Sequence, residues 1–313
     1  MPLCKSDLGL KVSINRKPVD GPYGGGNLFI RQLIKTLSSA GHHVVHTPDH
    51  DSDCIFICDP RPSGDGYSIN DAIGCKSRNP NLKIIQRINE CDARKNTEHM
   101  DQLLLQCSRL IDHTIFVSNW MRDYFLKKGW QNNSFSVLHN GVSQNYLDIQ
   151  RSAPSPTSSV LSIVTHHWSN NVLKGFDAYD FIDYLCGIRD DIRFTYIGRH
   201  RNSFSNTTCI NPLSGHDLAI ELSRHDIYVS GSRFDPGPNH VLEALAVGLP
   251  TYVHNDGGGA VEFAGKNMSF KNFVELESII NKASHEQNIF VPLEWDKALN
   301  KIHTVLESLS LGH

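Results

Sequence analysis

The sequence has no long apolar run, no paired-cysteine motif and no excess of either charge. No hydrophobic stretch approaches the roughly 20 residues needed to cross a bilayer. The opening residues Met1-Pro2-Leu3-Cys4-Lys5-Ser6-Asp7 carry no apolar stretch of signal-peptide length, so the expectation is a cytoplasmic protein. The eight cysteines (Cys4, Cys54, Cys58, Cys75, Cys91, Cys107, Cys186 and Cys209) are scattered and form no CxxC pair. They read as reduced core thiols, not a disulfide framework. Lys and Arg total 30 against 33 Asp and Glu, a formal net charge of −3. This is not the basic excess of a nucleic-acid binder, although it leaves room for a local anion pocket. The 17 histidines include the pairs His42-His43 and His166-His167 but no HExxH or comparable ligand spacing, and no metal is expected. A dinucleotide fingerprint is missing too. Read from Gly25, GxGxxG would need a glycine at Ile30, which counts against a nicotinamide-dependent or epimerase-type enzyme.

What is present is alternation. The 313 residues suit two domains of roughly 150 residues each. Short β-rich apolar runs fall at 12–15, 43–46, 54–58, 82–88, 114–118 and 135–139, with helix-like stretches at 27–40, 97–110 and 119–128. Strand, helix, strand at this spacing predicts a parallel sheet with helices on its faces. The connection 58–82, rich in Pro, Gly and Ser, reads as a loop with at most a short helix. The polar, proline-containing segment 150–159 reads as a linker. Alternation then resumes, with strands at 161–165, 193–197, 226–230 and 251–254 and helices at 176–188, 217–224 and 240–247. An amphipathic tail helix follows at 295–309. The expected organisation is a domain over 1–149, a linker over 150–159 and a second domain over 160–313 that includes the tail helix.

In open parallel sheets ligands bind beyond the C-terminal ends of the strands, and the distinctive motifs stand there. Gly21-Pro22-Tyr23-Gly24-Gly25-Gly26-Asn27 precedes the first long helix, either as a backbone approach to an anion or as a tight turn. Lys174, in Thr165-His166-His167-Trp168-Ser169-Asn170-Asn171-Val172-Leu173-Lys174-Gly175, is placed either to meet a diphosphate or to stay solvated. The stretch from Ser230 to Pro250 carries Asp235 in a loop and Glu243 on a helix, eight positions apart. In so apolar a stretch a buried Glu243 needs a partner: a ribose diol or a neighbouring Lys or Arg. Gly257-Gly258-Gly259 and Glu262 follow the next strand.

Taken in order, these features resemble the retaining family 4 glycosyltransferases. They are Gly24-Gly25-Gly26; Phe116-Val117-Ser118-Asn119-Trp120; His139-Asn140-Gly141-Val142; Lys174-Gly175; Asp235 with Glu243; Glu243-Ala244-Leu245-Ala246 with Gly248-Leu249-Pro250; and Gly257-Gly258 with Glu262. The resemblance spans nearly the whole chain. It implies an α/β GT-B fold, two Rossmann-like domains facing each other across a cleft. It also implies a retaining, metal-independent hexosyltransferase with a nucleotide-sugar as donor substrate and no other cofactor. Lys174, Asp235 and Glu243 are its implied catalytic residues, with the diphosphate on Lys174, the ribose on Glu243 and the donor sugar near Asp235. Gly25, Gly26, His166, Arg199, Gly237, Asn239, His240 and Gly258 are implied to line the donor.

Three departures stand out. Asp235 replaces the family's usual Glu and is one methylene shorter. Pro238 lacks a backbone N–H. The arginine usual before the lysine is missing from His166-His167-Trp168-Ser169, where His166, Arg199 or Arg201 would substitute. Asp235 and the missing arginine keep open a non-catalytic sugar-nucleotide or glycan-binding module.

On the other side, Arg87, Asn89, Glu90 and Asp92 follow a buried-looking strand and are expected to bind the acceptor, a glycan or lipid-linked molecule. A local ion-pair network is the alternative. Trp120, Phe125, Lys127, Lys128 and Trp130, on or just after one helix, suggest either peripheral membrane contact or core packing.

Overall fold

The computed structural model describes residues 9–19, 24–64, 66–149, 160–200, 203–282 and 288–310. Gly21, Pro22, Tyr23, the expected linker 150–159 and Arg201 lie outside the described residues.

The first part of the chain runs β1 (Lys11–Ile14), α1 (Gly25–Ser39), β2 (His43–Val45), β3 (Cys54–Ile57), α2 (Ile69–Arg78), β4 (Lys83–Ile88), α3 (Asp92–Lys95), α4 (Met100–Cys107), β5 (His113–Phe116), α5 (Asn119–Lys127) and β6 (Phe135–Val137). The second runs α6 (Gln144–Leu147), β7 (Leu161–His167), α7 (Phe176–Ile188), β8 (Ile192–Gly198), β9 (Thr208–Ile210), α8 (Gly215–Ser223), β10 (Ile227–Ser230), α9 (Asn239–Ala246), β11 (Thr251–His254), α10 (Gly259–Ala264), β12 (Ser269–Phe270) and α11 (Phe273–Lys282), before α12 (Trp295–Ser310) closes the chain. Two six-stranded sheets result, ordered β2-β1-β3-β4-β5-β6 and β12-β11-β10-β7-β8-β9. Every paired strand is parallel. Central strands such as Cys54–Ile57 and Ile227–Ser230 are buried throughout, as expected where helices cover both faces of a parallel sheet.

Most elements follow the sequence periods to within a residue or two. The connection from β3 to β4 does not: it holds the ten-residue helix α2. Its composition reads as loop, but Ser68 and Asp71 cap each other, with Ser68 N donating to Asp71 Oδ2 at 2.8 Å and Asp71 N to Ser68 Oγ at 3.4 Å. A reciprocal cap of this kind satisfies N–H groups that a helix start otherwise leaves open.

The chain divides into two compact units, one formed by Met1–Asp92, Thr97–Asn140 and Trp295–His313, the other by Ala93–Asn96 and Gly141–Glu294. This differs from the expected boundaries, most of all at α12. Trp295, Leu299, Ile302 and Leu306 are buried in the first unit's core with Phe29, Leu33 and Leu37 of α1. The Trp295 ring lies 6.3 Å from that of Phe29, and Lys35 pairs with Asp296 at 3.1 Å. Amphipathic spacing shows that a helix must cover a sheet, not which sheet. The second unit has a core on each face of its sheet, around Phe176, Tyr179 and Phe194 on one and Val164, Leu222 and Tyr228 on the other.

Phe125 and Trp130, read as possible membrane contacts, are buried against Phe116. Asp123, Leu126 and Lys127 of α5, and Lys128 just after it, are exposed. No helix among the described residues is long and apolar enough to cross a membrane.

Candidate active site

In the second unit the strand order reverses between β7 and β10, and such a switch point leaves a crevice beyond the strand ends. The loops that leave those two strands are pressed together by glycines. Gly175 has φ +85°, and a Cβ there would sit 2.2 Å from the carbonyl of Gly231. Arg233 N donates to Leu173 O at 2.8 Å. A third loop joins them. Phe234 N donates to Asp256 O at 2.8 Å and Gly259 N to Asp235 O at 2.8 Å. Gly258, at φ +69°, would drive a Cβ to 2.7 Å from Asp235 O.

This weave brings Lys174 Nζ to 2.6 Å from Asp235 Oδ2. Asp235 is 5 % exposed. Burial alone would raise its carboxyl, but the charges of Lys174 and Arg94 outweigh it and hold the group below the usual carboxylate range. An opening of about 60 Å³ sits over the pair, lined also by Arg94, Lys95, Ser169, Asn171 and Arg233. Arg233 is braced by Asp177 through bonds of 3.1 and 2.6 Å. Lys174, Arg94, Lys95 and Arg233 therefore line one opening beside the buried Asp235, with Arg233 also held by Asp177.

Glu243 lies on α9, where His166 Nε2 meets its Oε2 at 2.8 Å. His166 thus touches the expected ribose-binding carboxylate and does not line the Lys174 opening. His240, at the start of α9, shares a hydrogen bond with Ser230 Oγ at 3.0 Å, and His167 shares one with Tyr179 OH at 2.5 Å. Burial first, then the neighbouring His240 for His167 and the Lys174 charge for His240, holds both well below the ordinary histidine range, so both are neutral at pH 7. Pro238 caps α9 and Asn239 is its first residue, so the missing N–H falls at the helix edge. Gly237 lies in the same loop, between Asp235 and that cap.

Arg199 stands away from the Lys174 opening. Its guanidinium lies 4.7 Å above the Trp168 ring. Arg94 and Lys95, in a segment that groups with the second unit, do line that opening. Sequence reasoning passed over them because they stand far from Lys174 along the chain.

The first unit has its own cavity of about 280 Å³, beyond β1, β3 and β4, where its strand order also reverses. Arg87, Asn89 and Glu90 line it, as does Gly26 from the first turn of α1; Gly25 opens that helix. Arg87 is 4 % exposed, lies 3.8 Å above the Phe29 ring and donates to Asn140 Oδ1 at 2.8 Å.

Asp92 departs from expectation. Its carboxylate accepts from Met100 N and Asp101 N at 3.0 Å and from Thr97 Oγ1 at 2.9 Å, so it caps α4 from a distance and does not line the cavity. Burial opposes its charge, but these bonds hold the carboxyl below the ordinary range. Arg16 and Lys17, which do line the cavity, were missed although they directly follow a predicted strand. No group of three or more His, Cys, Asp or Glu among the described residues is arranged to hold a metal ion.

No family model matches this sequence, and no curated protein resembles it in sequence. Solved structures do resemble it in fold. HepE from Anabaena, solved in complex with UDP and glucose, is 13 % identical with a TM-score of 0.70, over 96 % of this chain and 100 % of that one. The lipopolysaccharide outer core galactosyltransferase WaaB is 12 % identical with a TM-score of 0.69, over 95 % and 99 %. The sucrose-phosphate synthase of Thermosynechococcus elongatus is 12 % identical with a TM-score of 0.62, over 97 % of each chain. The architecture is therefore that of the GT-B glycosyltransferases, with two Rossmann-like domains.

Proposed function

We propose that the chain is a retaining glycosyltransferase that moves a sugar from a nucleotide-sugar to a hydroxyl of a glycan, lipid-linked or small-molecule acceptor. The observation that carries this reading is the ion pair of Lys174 and Asp235 at the β7/β10 switch point, ringed by Arg94, Lys95 and Arg233. The donor diphosphate takes the cationic opening, and Glu243, carried on α9 and oriented by His166, accepts from the ribose hydroxyls. The bond from the anomeric carbon to the diphosphate oxygen breaks as the acceptor oxygen bonds to the same face of that carbon. The acceptor proton passes to the departing phosphate oxygen.

Lys174 and its basic neighbours offset the charge that develops on the leaving group, a role electrostatic preorganisation fills without a metal ion. Asp235 anchors Lys174 and borders the space for the transferred sugar. HepE was solved with UDP and with UDP-glucose, which makes uridine nucleotides the first to try. The reading carries a cytoplasmic location, with any membrane contact peripheral and confined to the exposed end of α5.

The test is release of nucleoside diphosphate from a panel of nucleotide-sugars, with and without EDTA, by the wild type and by Lys174→Ala and Glu243→Ala. EDTA-resistant turnover, lost in both folded variants, supports the reading. Nucleotide binding without turnover on any acceptor moves it to a non-catalytic binding module. EDTA-sensitive turnover overturns the metal-independent mechanism.

A further inference from the structure

We propose that Arg199, carried on the ring of Trp168, is the platform on which the donor's nucleobase stacks. The inference rests on the glycosyltransferase reading and adds how its nucleotide is recognised.

β7 and β8 stay in register to their ends, where His167 pairs with Gly198. The pairing continues one step further. Arg199 N donates to His167 O at 3.2 Å, and Tyr196 OH donates to Arg199 O at 3.0 Å. Gly198, at φ +129°, permits this close approach, since a Cβ there would collide with His167 O. The Arg199 backbone is thus pinned beside Trp168, and its guanidinium lies 4.7 Å from the centre of the indole ring. Arg199 is exposed and Trp168 half-buried. Among the described residues no carboxylate meets this guanidinium.

The pair borders the path expected for the nucleotide. Trp168 follows His166 by two residues, about 7 Å of extended chain, and His166 meets Glu243, the carboxylate assigned to the ribose, at 2.8 Å. Trp168 also directly precedes Ser169, which lines the Lys174 opening. A base is joined directly to its ribose and so falls within reach of Arg199. The diphosphate has a separate place, because neither Arg199 nor Trp168 lines that opening.

A guanidinium is planar and weakly hydrated. Over an aromatic ring it keeps an outer face for a second planar group, which is how arginine receives bases elsewhere. Its N–H groups only donate, so it also meets a base edge of carbonyl or ring-nitrogen acceptors. A sugar ring is a poorer occupant, because Arg199 already covers the indole face against which it would pack.

The experiment is titration of the full chain with UDP, GDP, ADP, CDP, UDP-glucose and inorganic pyrophosphate, followed by calorimetry and by tryptophan emission. The variants are Trp168→Leu, Arg199→Ala and Arg199→Lys. Emission is informative because the other three tryptophans, Trp120, Trp130 and Trp295, belong to the first unit.

The expected result is that the preferred nucleoside diphosphate changes emission in the wild type and not in Trp168→Leu. Its affinity falls roughly fivefold or more in Trp168→Leu and Arg199→Ala, the range of a lost base-stacking contact. Arg199→Lys, which keeps the charge without the plane, does not restore it, and pyrophosphate affinity is unchanged throughout. Equal weakening of pyrophosphate and nucleotide, or full rescue by Arg199→Lys, overturns the proposal and makes Arg199 a phosphate contact. Weakening of UDP-glucose alone overturns it by giving the pair to the transferred sugar. Nucleotide binding that no variant alters overturns the platform and leaves the donor reading standing. A wild type that binds no nucleotide defeats the donor reading and the platform with it.

Discussion

Gly175 and Gly231 meet backbone to backbone, so close that a Cβ on the first would stand 2.2 Å from the carbonyl of the second. The contact seats Lys174 above Asp235. Gly175→Ala therefore adds a clash to the strain of a left-handed backbone. Gly248, at φ +78° with nothing within 4 Å of its would-be Cβ, isolates the backbone cost. Gly248→Ala should cost about 1 kcal/mol, and Gly175→Ala clearly more, in the upper part of the roughly 0.5–3 kcal/mol usual for point substitutions. Urea unfolding of the two variants is the comparison. Equal losses would mean that the loop relaxes freely, and the glycine contact would then not be what holds the lysine.

Asp235→Asn leaves Lys174 facing a neutral partner. Removing one member of a buried ion pair costs roughly 3–5 kcal/mol, and the 17 % exposure of the Lys174 side chain puts the expected loss at the lower end. The direction with pH follows from the lowered Asp235 carboxyl. A depressed carboxyl contributes stability above its unfolded value, near 3.9, and loses it as pH falls through the folded value. The stability gap between wild type and Asp235→Asn should be flat from pH 5 to 8, within about 0.5 kcal/mol, and close below about pH 4. A gap that narrows between pH 8 and 6 would show that another group carries it.

His240 acts in a higher pH window. Its folded value lies well below the ordinary one because it is buried beside Lys174 and His166. Below the unfolded value near 6.5, only the unfolded chain takes up this proton, so stability falls as pH falls. The contribution is about 1.4 kcal/mol per pH unit for each such histidine. His240→Gln, whose amide can still meet Ser230, should remove one proton from that slope between pH 6.5 and 5. Stability curves at four pH values measure it, and an unchanged slope would mean that His240 is charged in the native state.

How far the site could be read in advance depended on whether a residue acts through its own loop or through a distant one. Lys174, Asp235 and Glu243 follow strands, and strand ends are legible from apolar runs. Their pairing is not, because Lys174 and Asp235 meet only where the strand order reverses. Arg94 and Lys95 were invisible for the same reason. Asp92 looked like a ligand group because a polar residue after a buried strand carries the same signature whether it faces substrate or caps the next helix. α2 was hidden by glycines and prolines nearby, although Ser68 and Asp71 at capping spacing announced it. His166 was expected at the donor's phosphates. The structure shows it meeting Glu243 at 2.8 Å.

α12 follows the second unit in sequence but completes the core of the first, and that arrangement has a measurable consequence. Leu306 is fully buried among α1 and β-strand side chains of the first unit, so Leu306→Ala should cost roughly 2–5 kcal/mol through lost burial and a residual cavity. Leu222, equally buried in the second unit, is the matched control. Hydrogen exchange read peptide by peptide separates them, because protection reports the local opening energy of each cooperative unit. Leu306→Ala should speed exchange in α1, β1 and β3 and leave β7 and β8 protected. Leu222→Ala should do the reverse. If Leu306→Ala loosens β7 and β8 instead, α12 belongs to the second unit, as its sequence position alone would suggest, and the Phe29 wall of the cavity stands without its support from Trp295.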